Sequence, residues 1–408
     1  MRVGTPNFVG SRLREAREAR GLSVTALAGL LPGVSKQSIS AYELQQATPH
    51  PDHAVKIADL LNLPLAFFFE PGSFEDTNPI YWRSLAAATK GARSSVKRRY
   101  GWLRRIVAYL SEFIDFPSLK LPPPLDATDP VEISASIVET AAKNARRFFG
   151  LGNGPIENMT WLLENHGAMV AYCDFDAASL DSFSQNGSDG HAYIILNSDH
   201  GTAVRFRFDL AHELGHLVLH QKIEATLANS STRNPLMEKQ AHAFAREFLM
   251  PSEAFAKSFR IPTIDGLKLT KQIWKTSMQS CLMQARYLGL VTDIQEQRIW
   301  RALASRGWRQ NEPLDDVIPR EEPELLRSAF NAALSSGRAT EEMLNALPFR
   351  GNEIEELCGL RPRTLTPEDS KSGPSEKALP KKLSPGARRD RGAEVLVFDR
   401  SRRRSQET

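Results

Sequence analysis

The segment Phe206 to His220 reads FRFDLAHELGHLVLH, and His212, Glu213 and His216 are the residues whose types and spacing point to chemistry. Side chains four apart share one face of a helix, so the two imidazoles can hold a single metal ion. Glu213 stands beside the first of them, where its carboxylate can act as general base toward a water that the metal polarises. That combination is suited to peptide hydrolysis without a covalent intermediate. Catalytic zinc usually takes three protein ligands, so two histidines leave the set one short. The stretch EKQAHAFAREFL, residues 238–249, supplies the missing carboxylate. Glu238, Ala241 and Ala245 fall at helical spacing, and the two alanines permit close approach to the first helix. Glu247 is the rival, but beside Phe248 and two turns further on it suits a surface or salt-bridge role better. Tyr193, Tyr172 and His242 are the candidates for stabilising an oxyanion. His220 either orients a ligand or simply finishes the helix.

Such a site needs elements to hold it. HAYIILNSD, 191–199, alternates or runs apolar like a strand, and VRFRF, 204–208, looks like a second entry into the helix. Asp209 is placed to cap that helix. Leu214, Leu217 and Leu219 give it the apolar faces of a buried active-site helix. These elements predict a mainly α fold with a small β-sheet, and with His212, Glu213, His216 and Glu238 the α+β core resembles the gluzincin metallopeptidases.

RFDLAHELGHLVLH and EKQAHAFAREFLMP resemble the signatures of the ImmA/IrrE family of metallopeptidases. SMQSCLMQARYLGLVTD at 277–293 and SRGWRQNEP at 305–313 extend the resemblance, which covers about 155–315. It implies that His212, His216 and Glu238 bind Zn2+ and that Glu213 is the catalytic base. The second motif departs at His242, where members commonly have Asn or Asp.

The chain opens with a different pattern. Phe8 to Glu70 reads as five short helices, with stops at Gly21 and Pro32-Gly33 and caps at Ser23 and Ser35. Two short helices joined by a tight turn can place the second in the major groove of DNA. Lys36, Gln37, Ser38 and Ser40 would then reach base edges, while Lys36 and Arg12 or Arg14 would hold the backbone. RLREAREARGLS, LAGLLPGVSKQSISAYE and IADLLNLPLAFFF resemble the Xre/Cro family of helix-turn-helix domains. Val24 and Leu44-Gln45 depart from its pattern at positions that favour DNA contact, so a domain used for protein contact is the competing expectation.

Composition sets the frame. The chain has 408 residues, 41% of them apolar, enough for two or three cores, and a formal charge of only +4. Residues 366–408 hold eleven Lys/Arg against seven Asp/Glu amid Pro, Gly and Ser, the pattern of a disordered basic tail. Arg83 to Arg105 carries eight Lys/Arg and no acid, with Tyr100 and Trp102 inside it and Tyr81 and Trp82 just upstream. Either bases stack on these rings, making single-stranded DNA an activator, or this is a solvated helix face beside packed aromatics. The three cysteines, Cys173, Cys281 and Cys358, lack CxxC spacing and argue for a reducing compartment. No apolar run approaches membrane-spanning length, so the expected location is cytoplasmic.

The organisation expected is a helix-turn-helix domain at 7–70, a helical bridge at 75–150, a metallopeptidase core at 151–262, a helical region at 263–350 and the tail at 366–408. The resemblances imply a zinc endopeptidase that regulates transcription by cutting an Xre-type repressor in a stress, DNA-damage or mobile-element response. Double-stranded DNA and a second copy of the chain, as a homodimer, are further expected partners. The alternative is a DNA-binding regulator whose zinc domain is a sensor or scaffold.

Overall fold

The structure is a computed structural model that describes residues 4–72, 81–82, 89–174, 181–198, 201–228 and 230–366, with backbone alone at 81, 82 and 225. The expected basic tail beyond 366, Arg83 and the side chains of Tyr81 and Trp82 lie outside the described residues. The protein is mainly α-helical and multidomain, with an all-α head and a small mixed sheet.

The head comprises α1 (Gly10–Ala19), α2 (Val24–Leu30), α3 (Lys36–Glu43), α4 (Pro51–Leu60) and a 3₁₀ turn at Leu65–Phe69. Ser23 and Ser35 accept the Ala26 and Ser38 backbone N–H groups at 3.0 and 3.1 Å, capping α2 and α3. Gly21 ends the first helix with φ +61°, a left-handed conformation that costs glycine little. Phe8, Leu13, Leu27, Ile39, Ile57, Phe67 and Phe68 fill the interior and are fully buried.

Next come β1 (Tyr81–Trp82), the long helix α5 (Lys90–Leu110), α6 (Ala135–Phe148), α7 (Met159–Asn165), β2 (Ala168–Cys173), β3 (Ser182–Asn186) and β4 (Ala192–Asn197). The sheet order is β1-β3-β4-β2, with β2 parallel to β4 and the other pairings antiparallel. Both sheet faces are covered, which is why β2 and β4 read as continuous apolar runs rather than alternating ones. Val170, Ile194 and Leu196 pack with the helices that follow. Met169, Ala171, Phe183, Tyr193 and Ile195 pack on the opposite face, in one continuous core with α5 and the head.

The basic aromatic segment becomes α5, and its rings are core residues. Tyr100 and Trp102 are 3% and 1% exposed. Tyr100 stacks edge-on against Phe183 and Tyr193 with centroids 5.6 and 5.2 Å apart. Four of its cations pair with acids: Arg98 with Glu18 at 3.0 Å, Arg99 with Glu356 at 2.5 Å, Arg104 with Asp189 at 3.2 Å and Arg105 with Glu70. A stacking platform for single-stranded DNA at Tyr100 and Trp102 is therefore corrected to a packed helix. Apolar burial of these rings outweighs whatever a solvent-facing ring could gain.

After the sheet run α8 (Ala203–Leu219), α9 (Ala225–Ala228), α10 (Asn234–Leu249), α11 (Ser252–Ser258), α12 (Ile264–Trp274), α13 (Met278–Tyr287) and α14 (Asp293–Ser305). The described part closes with α15 (Leu325–Ser335), α16 (Thr340–Ala346) and α17 (Gly351–Leu357), whose Leu326, Phe330 and Leu357 return to the core shared with the head. Residues 204–208, expected as an entry into the helix, already belong to it, and Asp209 lies inside α8 rather than at its cap. The helix is buried on nearly all sides, so its apolar residues carry no clear helical period.

Candidate metal centre

Helix α8 lies under the sheet and α10 packs along it. A side chain on Gly215 would meet Phe244 at 3.1 Å and the Ala241 backbone at 3.3 Å, so glycine at this turn lets the two helices close up. Ala241 and Ala245 are fully buried on the facing helix. At this separation the third carboxylate meets the two histidines. His212 Nε2 and His216 Nε2 are 3.1 Å apart, and Glu238 reaches them at 3.5 and 3.2 Å through its two oxygens. Four-coordinate zinc with ligands at about 2.0–2.1 Å has ligand–ligand edges of about 3.3–3.4 Å, so the trio fits a tetrahedral ion. Glu238 Oε1 is buried without a hydrogen-bond donor, an acceptor directed at the point where the imidazoles converge. Burial alone would raise the Glu238 carboxyl, but the two histidines facing it outweigh this and hold it well below the usual carboxylate range.

His242 sits one turn along α10 from Glu238. Its Nδ1 is 2.8 Å from the Glu238 carbonyl, its ring is 4.5 Å from that of His212, and it is exposed. Ligand atoms of His212, Glu238 and His242 lie within 4.8 Å of one another, so this trio also could hold a metal ion. The set with His216 is tighter, with both imidazoles buried and Glu238 half-buried, and His242 forms the rim.

Glu213 is fully buried. Ser182 and Ser184 of β3 each donate a hydroxyl to one of its oxygens, both at 2.5 Å. Burial raises its carboxyl, with His216 and the two serines pulling the other way. Each oxygen keeps a second lone pair for a proton. The serines were not singled out from the sequence, although SFSQN places them two apart, as one face of a strand requires.

Behind His216 stands His220, fully buried, with Nδ1 3.0 Å from His216 Nδ1 and Nε2 3.1 Å from Gln240 Oε1. Burial, then His216, push the His220 imidazolium down, so the ring is neutral. Gln240 was also missed from sequence; a buried amide among apolar helix positions is its only local signal.

The remaining expectations divide. Tyr193 lies on the opposite face of the sheet from α8 and donates its hydroxyl to Asp189 at 2.7 Å, a placement that removes it as an oxyanion donor. Tyr172 donates to the Glu321 carbonyl at 2.6 Å and packs on Phe206, so its hydroxyl is engaged away from the ligands. Glu247 is buried and accepts the Ser252 backbone N–H and hydroxyl at the start of α11, instead of facing solvent. In the head, Lys36 and Gln37 are exposed at the start of α3, and Ser38 and Ser40 are half-buried beside them. Arg14 is exposed and pairs with Glu18 at 3.0 Å. Arg12 is not available to DNA: it is 1% exposed, lies 4.2 Å over the Phe67 ring, and pairs with Glu15 and Glu70 at 2.8 and 3.2 Å.

The peptidase M78 family, described as the IrrE N-terminal-like domain, matches residues 163–272, which contain all four motif residues. A helix-turn-helix family matches residues 13–68. A curated HTH-type transcriptional regulatory protein of Methanocaldococcus jannaschii is 46% identical over 70 residues, covering 16% of this chain and 22% of that relative. The chain thus spans less than a quarter of that relative's length. It joins an N-terminal helix-turn-helix domain to an IrrE-like peptidase domain of the ImmA/IrrE kind.

Proposed function

We propose that this protein is a zinc-dependent endopeptidase that regulates transcription by cutting an Xre-type repressor. The observation that carries the reading is the convergence of His212, His216 and Glu238 at 3.1–3.5 Å, with the Glu213 carboxylate on the same helix. Zinc bound by those three side chains would polarise the scissile carbonyl and lower the pKa of water. Glu213 would take the proton of the attacking water and return it to the leaving amine. Ser182 and Ser184 orient its carboxylate for that exchange. His242, at the rim, is the remaining candidate for stabilising an oxyanion. A cavity of about 560 Å³ lined by Phe208, His242, Arg246 and Met283 adjoins the rim and would receive a substrate side chain.

The helix-turn-helix domain gives the chain a general capacity for DNA, and we assign base contact to Lys36, Gln37, Ser38 and Ser40, with Arg14 on the backbone. Three free, buried cysteines and the absence of any membrane-crossing helix among the described residues accord with a cytoplasmic regulator.

One observation favours the second reading, a sensor or scaffold: Glu213 is fully buried with both oxygens already hydrogen-bonded. The readings separate in one experiment. Zinc-loaded full chain is incubated with purified Xre-type repressors, with and without DNA, beside Glu213→Gln. The enzyme reading expects cleavage by the wild type, and near-normal zinc content with no cleavage in the variant. Cleavage by both would discard Glu213 as the base, and cleavage by neither leaves the scaffold.

A further inference from the structure

The groove between α8 and α10 continues past the proposed ligands toward the start of α8 and the end of α10. Phe208 lies one turn before His212 and Arg246 one turn after His242, each on the same face of its helix. Both line the cavity of about 560 Å³ beside the rim, which α13 and residues between 309 and 315 complete. Its lining includes three acids and three arginines, and they differ in what they already hold. The acids are committed. Glu312 and Asp315 receive the Lys271 ammonium at 2.9 and 2.5 Å. Glu312 also accepts the Met278 and Gln279 backbone N–H groups at 2.6 and 3.1 Å, and Asp315 accepts that of Glu312 at 2.7 Å. Asp209 is buried with Arg205 Nε 3.9 Å from its carboxylate, and Arg205 pairs in turn with Asp181 at 2.6 Å.

Two arginines remain. Among the described residues neither Arg246 nor Arg309 has a carboxylate at ion-pair distance. Arg246 is half-buried with its guanidinium 4.5 Å from the Tyr287 ring centroid, and its Nε is buried without a hydrogen-bond partner. Arg309 lies 5.8 Å from the Trp300 ring, and its carbonyl accepts the Gln279 side-chain amide at 3.1 Å. Stacking engages the face of a guanidinium and leaves N–H donors at its edge. Burial pushes the Arg246 guanidinium below the ordinary arginine value, with Tyr287, Glu247 and Glu139 opposing. An anion supplied from outside would complete such a cation.

We propose that this cavity is the specificity pocket of the peptidase and selects an acidic side chain of the substrate, Asp or Glu, close to the scissile bond, with Arg246 and Arg309 receiving the carboxylate. A Lys or Arg side chain would meet two cations, because the acids of the cavity are already held by donors. An apolar side chain would leave Arg246 without its partner. The inference rests on the endopeptidase reading above, but retention of an acidic side chain does not require that a bond be cut.

The test uses the zinc-loaded full chain and a random-sequence pool of short peptides capped at both ends, so that only side chains carry carboxylates. Products are sequenced by mass spectrometry, and Asp and Glu should be enriched about 10-fold at one position near the cleaved bond. Arg246→Gln and, separately, Arg309→Gln should remove most of that enrichment while melting temperature and zinc content stay near normal. Arg246→Glu should favour Lys and Arg at the same position. Arg260→Glu, the same change of charge at an exposed residue outside the cavity lining, should leave the preference intact. A second readout needs no cleavage: peptides retained from the same pool by zinc-loaded Glu213→Gln should be rich in Asp and Glu, and adding Arg246→Gln should abolish this. A preference that survives both Arg→Gln variants, or no acidic enrichment in either readout, would overturn the proposal. Acid-rich retention without cleavage by the wild type would remove the endopeptidase and leave the pocket; cleavage without acidic preference would do the reverse.

Discussion

Two carboxylates meet the same pair of helices and are pushed in opposite directions. Glu238 faces two imidazoles and is held ionised; Glu213 is buried against β3 and its charged form is disfavoured, with two serine hydroxyls resisting. A hydrogen bond to a charged group contributes about 1.5–3 kcal/mol, so Ser182→Ala or Ser184→Ala should slow peptide cleavage by about 10- to 100-fold while zinc content stays near one per chain. Full activity in both single variants would remove the serines from the reaction. At the same scale, Arg12 is a buried partner of Glu15 and Glu70, so Arg12→Ala leaves an acid without its counter-charge. A loss of about 3 kcal/mol in denaturant unfolding is expected, of the size found when one member of a buried pair is removed. A variant of normal stability with weakened DNA binding would instead return Arg12 to the operator face.

At the level of elements, the separation of α8 and α10 sets the spacing of the proposed ligands. Gly215→Val would press against Phe244 and the Ala241 backbone, where the neighbours are a packed ring and main chain. Overpacking of this kind costs about 1–3 kcal/mol and should widen the gap between His216 and Glu238. Calorimetry should therefore show zinc affinity falling together with the melting temperature. A second element effect concerns α15, whose first N–H groups, at Glu324 and Leu325, are received by the Glu164 carboxylate at 3.0–3.1 Å. Burial pushes the Glu164 carboxyl up to about 7, and the Leu325 N–H only partly opposes it. The folded state thus binds this proton more tightly than the unfolded chain, in which the ordinary value is 4.5. Stability should fall as pH rises from about 4.5 to about 7 and then level off, with an upper bound of about 3 kcal/mol. Glu164→Gln should flatten that window in melting curves, and an unchanged slope would place its origin elsewhere.

Across the molecule, the head is not strung on a linker. Its core runs through α5 to the back of the sheet and to α15 and α17. Trp102 joins the parts: its indole nitrogen donates to Glu15 at 2.7 Å, and its ring packs on Phe67 and Phe349. Trp102→Ala should cost about 3–5 kcal/mol and lower one common transition, read alike by circular dichroism and by zinc release. Two separated transitions in the wild type would show that head and peptidase domain melt independently.

The features legible in the sequence are those fixed within a few residues along the chain. Helical spacing puts His212 and His216 on one face, and Ser23, Ser35 and Gly21 mark helix ends through bonds and backbone angles of their own neighbourhood. The same spacing made Glu238 a candidate, because one helix with small residues can approach another. What only the tertiary structure decided is where long side chains and whole faces go. Arg12 folds inward because Glu15, Phe67 and Glu70 surround it, and Tyr100 and Trp102 turn inward because the sheet and head cover them. Tyr193 is carried to the far face by strand alternation once the sheet sits on α8. Ser182, Ser184 and Gln240 join the site through contacts between residues distant in sequence, and no local pattern specifies such contacts.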